Sequence, residues 1–146
     1  MKRLHVNLTV SDIEQSVEFY TKLFSSKPSV TKPDYAKWML EDPRVNFSIA
    51  AHGGDTGIDH LGLQAEDEAE FTDIRKRLNE AEQPIFEQSD VTCCYARSTK
   101  AWVRDPDGVA WETFLTHGSS VIFGDDSKAQ SARTTNRAAP SENCCS

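Results

Sequence analysis

Two seven-residue stretches, "LHVNLTV" from residue 4 and "DHLGLQA" from residue 59, alternate in step and lie 55 residues apart. Strict alternation marks a strand with one buried face. In the first stretch Leu4, Val6, Leu8 and Val10 form the apolar face, against His5, Asn7 and Thr9. In the second, Leu61, Leu63 and Ala65 oppose His60, Gly62 and Gln64. Each stretch runs into a helical pattern. After the first, Ser11 with Glu14 reads as a capping box, and Ile13, Val17, Tyr20 and Phe24 recur at helical spacing. After the second, Asp67 reads as the cap, with Phe71, Ile74 and Leu78 on one side.

Strand candidates complete both halves: 28–31, 35–40 and 46–51 in the first; 85–88, 94–96, 101–104 and 111–116 in the second. "DPDG" (105–108) carries the Pro and Gly of a type I turn. The first half thus reads as a strand, a helix and three strands, and the second repeats that order, its strand candidates after the helix being divided into four short stretches. The expected fold is α+β: two βαβββ modules related by pseudo-two-fold symmetry, forming a curved mixed sheet around a metal-containing cavity. The boundaries read as 1–52 for the first module, 53–58 for a linker, 59–123 for the second module and 124–146 for a tail. From Asp125 on there is no Val, Ile, Leu, Met or aromatic residue, so the tail is expected to be flexible.

If the apolar face of each opening strand packs against its helix, the opposite face lines something polar. His5 and His60 hold matched positions in the two halves, so pseudo-symmetry brings both imidazoles to one cavity. The last strand supplies Glu112 between Trp111 and Phe114, and an ionised carboxylate in such company needs a partner or a metal. Two His and one carboxylate facing a cavity make the triad associated with non-heme Fe(II) and open coordination positions. His52 and His117 read as loop histidines, and Tyr95, Lys100 and Trp102 as packing or surface residues.

Cys93 and Cys94 are adjacent, and Cys144 and Cys145 repeat the pair near the end of the sequence. Neighbouring Cα atoms about 3.8 Å apart are poorly placed for a mutual disulfide. "MKRLHVNLTV" lacks the apolar run of a secretory signal, so the thiols are expected to be reduced and the protein cytoplasmic. Two free thiols together suit a soft metal or metalloid, or else two buried structural cysteines. Consecutive strand residues face opposite ways, so a shared soft-atom ligand requires a loop, bend or bulge at Cys93 and Cys94, with regular strand only after them. The net charge of -7 argues against nucleic acid or an anionic membrane as partner, and no apolar run approaches a membrane span.

The two halves, His5, His60, Glu112 and "DPDG" resemble the vicinal oxygen chelate superfamily, which includes glyoxalase I, extradiol dioxygenases and antibiotic-resistance proteins; the resemblance covers roughly residues 3–116. Within it, "KPDYAKWMLEDPRVNFSI", "DHLGLQ", "TCCYA" and "WVRDPDG" resemble the carbon-arsenic lyases of the ArsI type, related to cadmium-induced proteins. That resemblance implies Fe(II) held by His5, His60 and Glu112, a trivalent organoarsenical (methyl or aryl) captured by Cys93 and Cys94, and molecular oxygen as co-substrate. Cys144 and Cys145 become candidates for passing arsenic in or out. Aligning "VNFSI" with "WETFL" puts the counterpart of Glu112 near Asn46, a weak ligand. The expected protein is a monomer or homodimer. Rival readings are a non-catalytic thiol protein sequestering arsenite or cadmium, and a zinc or nickel enzyme of the glyoxalase type.

Overall fold

The strand Arg3–Thr9 (β1) and the strand Gly57–Ala65 (β5) run antiparallel at the middle of an eight-stranded sheet. The computed structural model describes residues 1–81, 84–93 and 96–119. After β1 come helix α1 (Ile13–Leu23) and strands β2 (Val30–Lys32), β3 (Tyr35–Glu41) and β4 (Arg44–Ala50). After β5 come helix α2 (Glu68–Glu80) and strands β6 (Phe86–Cys93), β7 (Ala96–Arg104) and β8 (Ala110–Ser119). The strand order, β2-β3-β4-β1-β5-β8-β7-β6, reads the same from either edge once each element is exchanged for its counterpart. Two βαβββ units therefore share one curved, mixed sheet. No described helix is long and apolar enough to cross a membrane.

The opening strands divide their faces as their alternation requires. Val6, Leu8 and Val10 pack with Ile13, Val17, Tyr20 and Phe24 of the α1 segment against a core of Trp38, Phe47 and Ile49. In the second half Ala65, Phe71, Ala101 and Leu115 form the corresponding cluster under α2. His5, Asn7 and His60 are buried on the other face. At about 25 cal/mol per Å² of apolar area removed from water, these two clusters fix which way every strand faces.

Local signals explain the boundaries. Asp67 caps α2, accepting from Glu70 N at 2.8 Å. For α1 the cap is Asp12 rather than Ser11: its side chain accepts from Gln15 N at 2.9 Å, the carboxylate one residue later being the one that reaches the free amide. The turn at 105–108 forms as composed. Gly108 N donates to Asp105 O at 2.9 Å, and Asp105 Oδ1 accepts from Asp107 N and Val109 N.

Ala96, at the end of the candidate 94–96, and the candidate 101–104 belong to a single strand, β7, since pairing on both sides carries the polar run between them. β6 continues through Cys93, which pairs with Ala96, so strand does not begin only after the cysteines. A register shift between Gln88 and Val91 bends β6 before that point. β5 starts at Gly57, inside the expected linker. Cys94, Tyr95 and the tail with Cys144 and Cys145 lie outside the described residues.

Gly62 sits against Glu112 across the β5–β8 ladder, where an added Cβ would come within 2.3 Å of the Glu112 carbonyl oxygen. Gly62→Ala should therefore push β8 away from β5 and destabilise the fold by about 1–3 kcal/mol. Urea unfolding of the two proteins measures this.

Candidate metal centre

His5 lies on β1, His60 on β5 and Glu112 on β8, three neighbouring strands, and all three side chains are buried. The β1–β5 register pairs His5 with Gly62 and Asn7 with His60, so the two histidines sit diagonally across the seam on one face. Their Nε2 atoms are 3.1 Å apart. Glu112 Oε2 is 3.4 Å from His60 Nε2 and 3.7 Å from His5 Nε2. One ligand atom from each residue falls within 4.8 Å of the others. The three side chains matched in the sequence are thus brought to one point.

Each imidazole is oriented through its other nitrogen. His5 Nδ1 lies 3.0 Å from Asn46 O, and His60 Nδ1 lies 2.6 Å from Asp59 Oδ2. With Nδ1–H donating to these oxygens, both Nε2 lone pairs face the centre, the tautomer a metal requires. Asp59 is itself held in a polar chain: Asn7 Nδ2 donates to Asp59 Oδ2 at 3.4 Å, and Ser48 Oγ donates to Asn7 Oδ1 at 2.6 Å.

The electrostatics favour ligands over charges. Burial first, then the neighbouring His60, lowers the His5 pKa to about 4, so this imidazole is neutral near pH 7. Burial alone would raise Glu112, but Lys100 and then His60 hold its carboxyl well below the usual range. A neutral imidazole and an ionised carboxylate are the protonation states that bind divalent ions. The cavity around them has a volume of about 40 Å³, room for an ion with small molecules beside it. Asn46 lines it too, and its buried Oδ1 has no hydrogen-bond partner among the described residues. That spare acceptor suits a ligand carrying a proton. The donor set and this unfilled acceptor both fit a bound divalent metal.

The register corrects the counterpart of Glu112. The two-fold that exchanges His5 with His60 also exchanges Asn7 with Gly62; β4 sets Ser48 opposite Asn7, while β8 sets Glu112 opposite Gly62. Ser48, not Asn46, stands where a fourth ligand would be. Its hydroxyl is committed to Asn7. Lys100 is the residue that sequence reasoning missed. It is buried, with Nζ 2.5 Å from Glu112 Oε1 and 5.7 Å from the Trp102 ring centroid. Trp102 in turn packs edge-on against His60 at 5.1 Å. The signal available was spacing: Lys100 and Trp102 alternate with the same period as Glu112 and Phe114 on the adjoining strand. His117 is exposed and bonded to Thr99, and His52 is exposed, 3.7 Å from Asp34.

Residues 2–113 match the family described as the Glyoxalase/Bleomycin resistance protein/Dioxygenase superfamily. Among curated proteins, the chain is 45% identical over 121 residues to a trivalent organoarsenical cleaving enzyme of Bacillus sp. (strain MD1), covering 80% of this chain and 74% of that one. To the enzyme of the same name from Thermomonospora curvata it is 34% identical over 151 residues, covering 99% and 100%. The cadmium-induced protein CadI of Mycobacterium tuberculosis is 32% identical over 125 residues, covering 85% and 82%. An extradiol ring-cleaving dioxygenase from B. fuscum shares the fold with a TM-score of 0.60 at 15% identity, over 82% of this chain and 34% of that one.

Stability of the metal-free protein should report the buried imidazole. Between the unfolded value of about 6.5 and the folded value of about 4, the unfolded chain binds a proton that the native state refuses. The contribution is present above about pH 6.5 and is lost as pH falls toward 4, by up to ~3 kcal/mol. Urea midpoints between pH 7 and pH 4 should show this fall, and His5→Gln should flatten it.

Proposed function

This chain belongs to the glyoxalase/bleomycin resistance protein/dioxygenase superfamily, and on that footing we propose that it is a non-heme iron lyase, dependent on Fe(II) and molecular oxygen, that cleaves the carbon-arsenic bond of trivalent organoarsenicals and releases inorganic arsenite. The observation that carries this reading is the buried cluster of His5, His60 and Glu112 with serine in place of a fourth ligand. Three protein ligands leave positions open on an octahedral ion. Bound there, Fe(II) supplies electrons for oxygen chemistry, which Zn(II) cannot. The relatives named for organoarsenical cleavage support the choice of substrate. The balance closes for methylarsenite: CH3As(OH)2 and O2 give As(OH)3 and formaldehyde.

In this reading His5, His60 and Glu112 hold the metal, and Cys93 and Cys94 capture arsenic as a dithiolate, leaving its carbon bond to be presented to the centre. Catalysis is then largely positioning. The cavity-lining residues Glu112, Phe114 and Thr116 of β8 and Lys100 and Ser98 of β7 step along the strands toward the row of Cys93, Ala96 and Ser119. At about 3.3 Å per residue, that row lies roughly 20 Å from Glu112 along a straight strand. Capture at Cys93 and Cys94 therefore requires β6 and β7 to bend toward the cavity. The register shifts after Gln88 in β6 and after Arg97 in β7 supply the bend. Cys144 and Cys145 serve to pass arsenic in or out. The protein acts in the cytoplasm, as a monomer or homodimer, with its thiols reduced.

Anaerobic loading with Fe(II), followed by methylarsenite with and without oxygen, tests the reading. Arsenite and formaldehyde should appear in equal amounts, only with oxygen. Full turnover with Zn(II), or tight arsenite binding without any turnover, would replace the lyase with a glyoxalase-type enzyme or a sequestering protein. Cys93→Ser or Cys94→Ser should weaken arsenical binding by about 10-fold or more while metal content stays at the parent level. Removing residues 125–146 should leave a folded protein that completes the first turnover at the parent rate. Unfolding on truncation would show that the tail belongs to the domain.

A further inference from the structure

The carboxylate of Glu112 is divided between two neighbours. Oε2 faces the paired histidine nitrogens, whereas Oε1 lies 2.5 Å from Lys100 Nζ. Both partners are buried, with Lys100 only 6% exposed and Glu112 3%. We propose that Lys100 is a positioning residue: by holding Oε1 it restricts Glu112 to one donor oxygen toward a bound metal and so preserves a coordination position for small molecules. This rests on reading His5, His60 and Glu112 as the metal ligands.

A carboxylate left to itself offers a metal one or both oxygens. Here the second oxygen lies in ion-pair contact with a buried ammonium, its charge answered by Lys100 and not by a hydrogen bond among the described residues. Giving it to a metal would set a cation against that buried ammonium, and like charges out of water repel strongly. The ammonium is also fixed from behind. It sits over the ring of Trp102, which pairs with Glu112 across the β7–β8 ladder and packs edge-on against His60. Lysine, tryptophan, histidine and glutamate thus brace one another. On the opposite side of the cavity Ser48 contributes no carboxylate at all. The two devices act alike: one omits a donor, the other masks one.

The test compares Lys100→Met with the parent, using Co(II) and Fe(II) as probes. In Lys100→Met both carboxylate oxygens are free to bind. The Co(II) absorption should weaken severalfold as coordination number rises, and the Fe(II) protein should bind nitric oxide about 10-fold less tightly. Lys100→Arg should keep both properties of the parent. A Lys100→Met protein with the parent Co(II) spectrum and nitric oxide affinity would overturn the proposal, leaving the lysine to neutralise a buried acid. Should Lys100→Met fail to hold metal, Lys100→Gln takes its place with the same expected shifts. Loss of metal from both variants would also overturn it, by making the lysine a requirement for binding itself. No arsenical enters these measurements, so their failure is distinct from failure of the proposed reaction.

Discussion

Antiparallel pairing of β1 with β5 is the constraint on which the rest depends. It sets His5 against Gly62 and Asn7 against His60, and so turns two distant histidines into neighbours with nitrogens 3.1 Å apart. The parallel pairing of β8 with β5 then delivers Glu112 to the same point, through a ladder tight enough to require glycine at 62. Burial does the remainder. The aromatic and aliphatic clusters beneath the helices commit one face of every central strand, which leaves the polar face to the cavity.

Taking four ionisable groups into the interior is expensive unless each is answered. The ammonium of Lys100 answers Glu112, Asp59 and a main-chain oxygen answer the two imidazoles, and a hydrogen-bonded chain through Asn7 ends at Ser48. The bonds that orient the cluster come from the protein itself, and ordering its side chains is an entropic cost met in folding.

Much of this was legible in the chain. The alternation in "LHVNLTV" and "DHLGLQA" is strong because each strand has one buried and one polar face, and the helix after each carries a plain apolar stripe. The matched histidines followed from that repetition. Asp67 was readable as a cap, while Asp12 was missed because Ser11 satisfies the same local pattern one residue earlier. The counterpart of Glu112 was misassigned to Asn46 because aligned letters carry no register; strand pairing alone distinguishes Ser48 from its neighbour two positions back. Lys100 was invisible for a related reason. Its significance comes from an ion-pair partner on the neighbouring strand, twelve residues away in sequence, and an isolated lysine reads as surface.

One half of the molecule contributes His5, and the other contributes His60 and Glu112. Neither half alone can assemble the cluster, so a metal ion there would clasp the seam between them. A ligand that binds only the joined form stabilises it in proportion to its free concentration. With metal bound the halves would stay locked, and without it the chain would open more often to proteolysis, so the abundance of such a protein would follow the availability of the ion without any change in its synthesis.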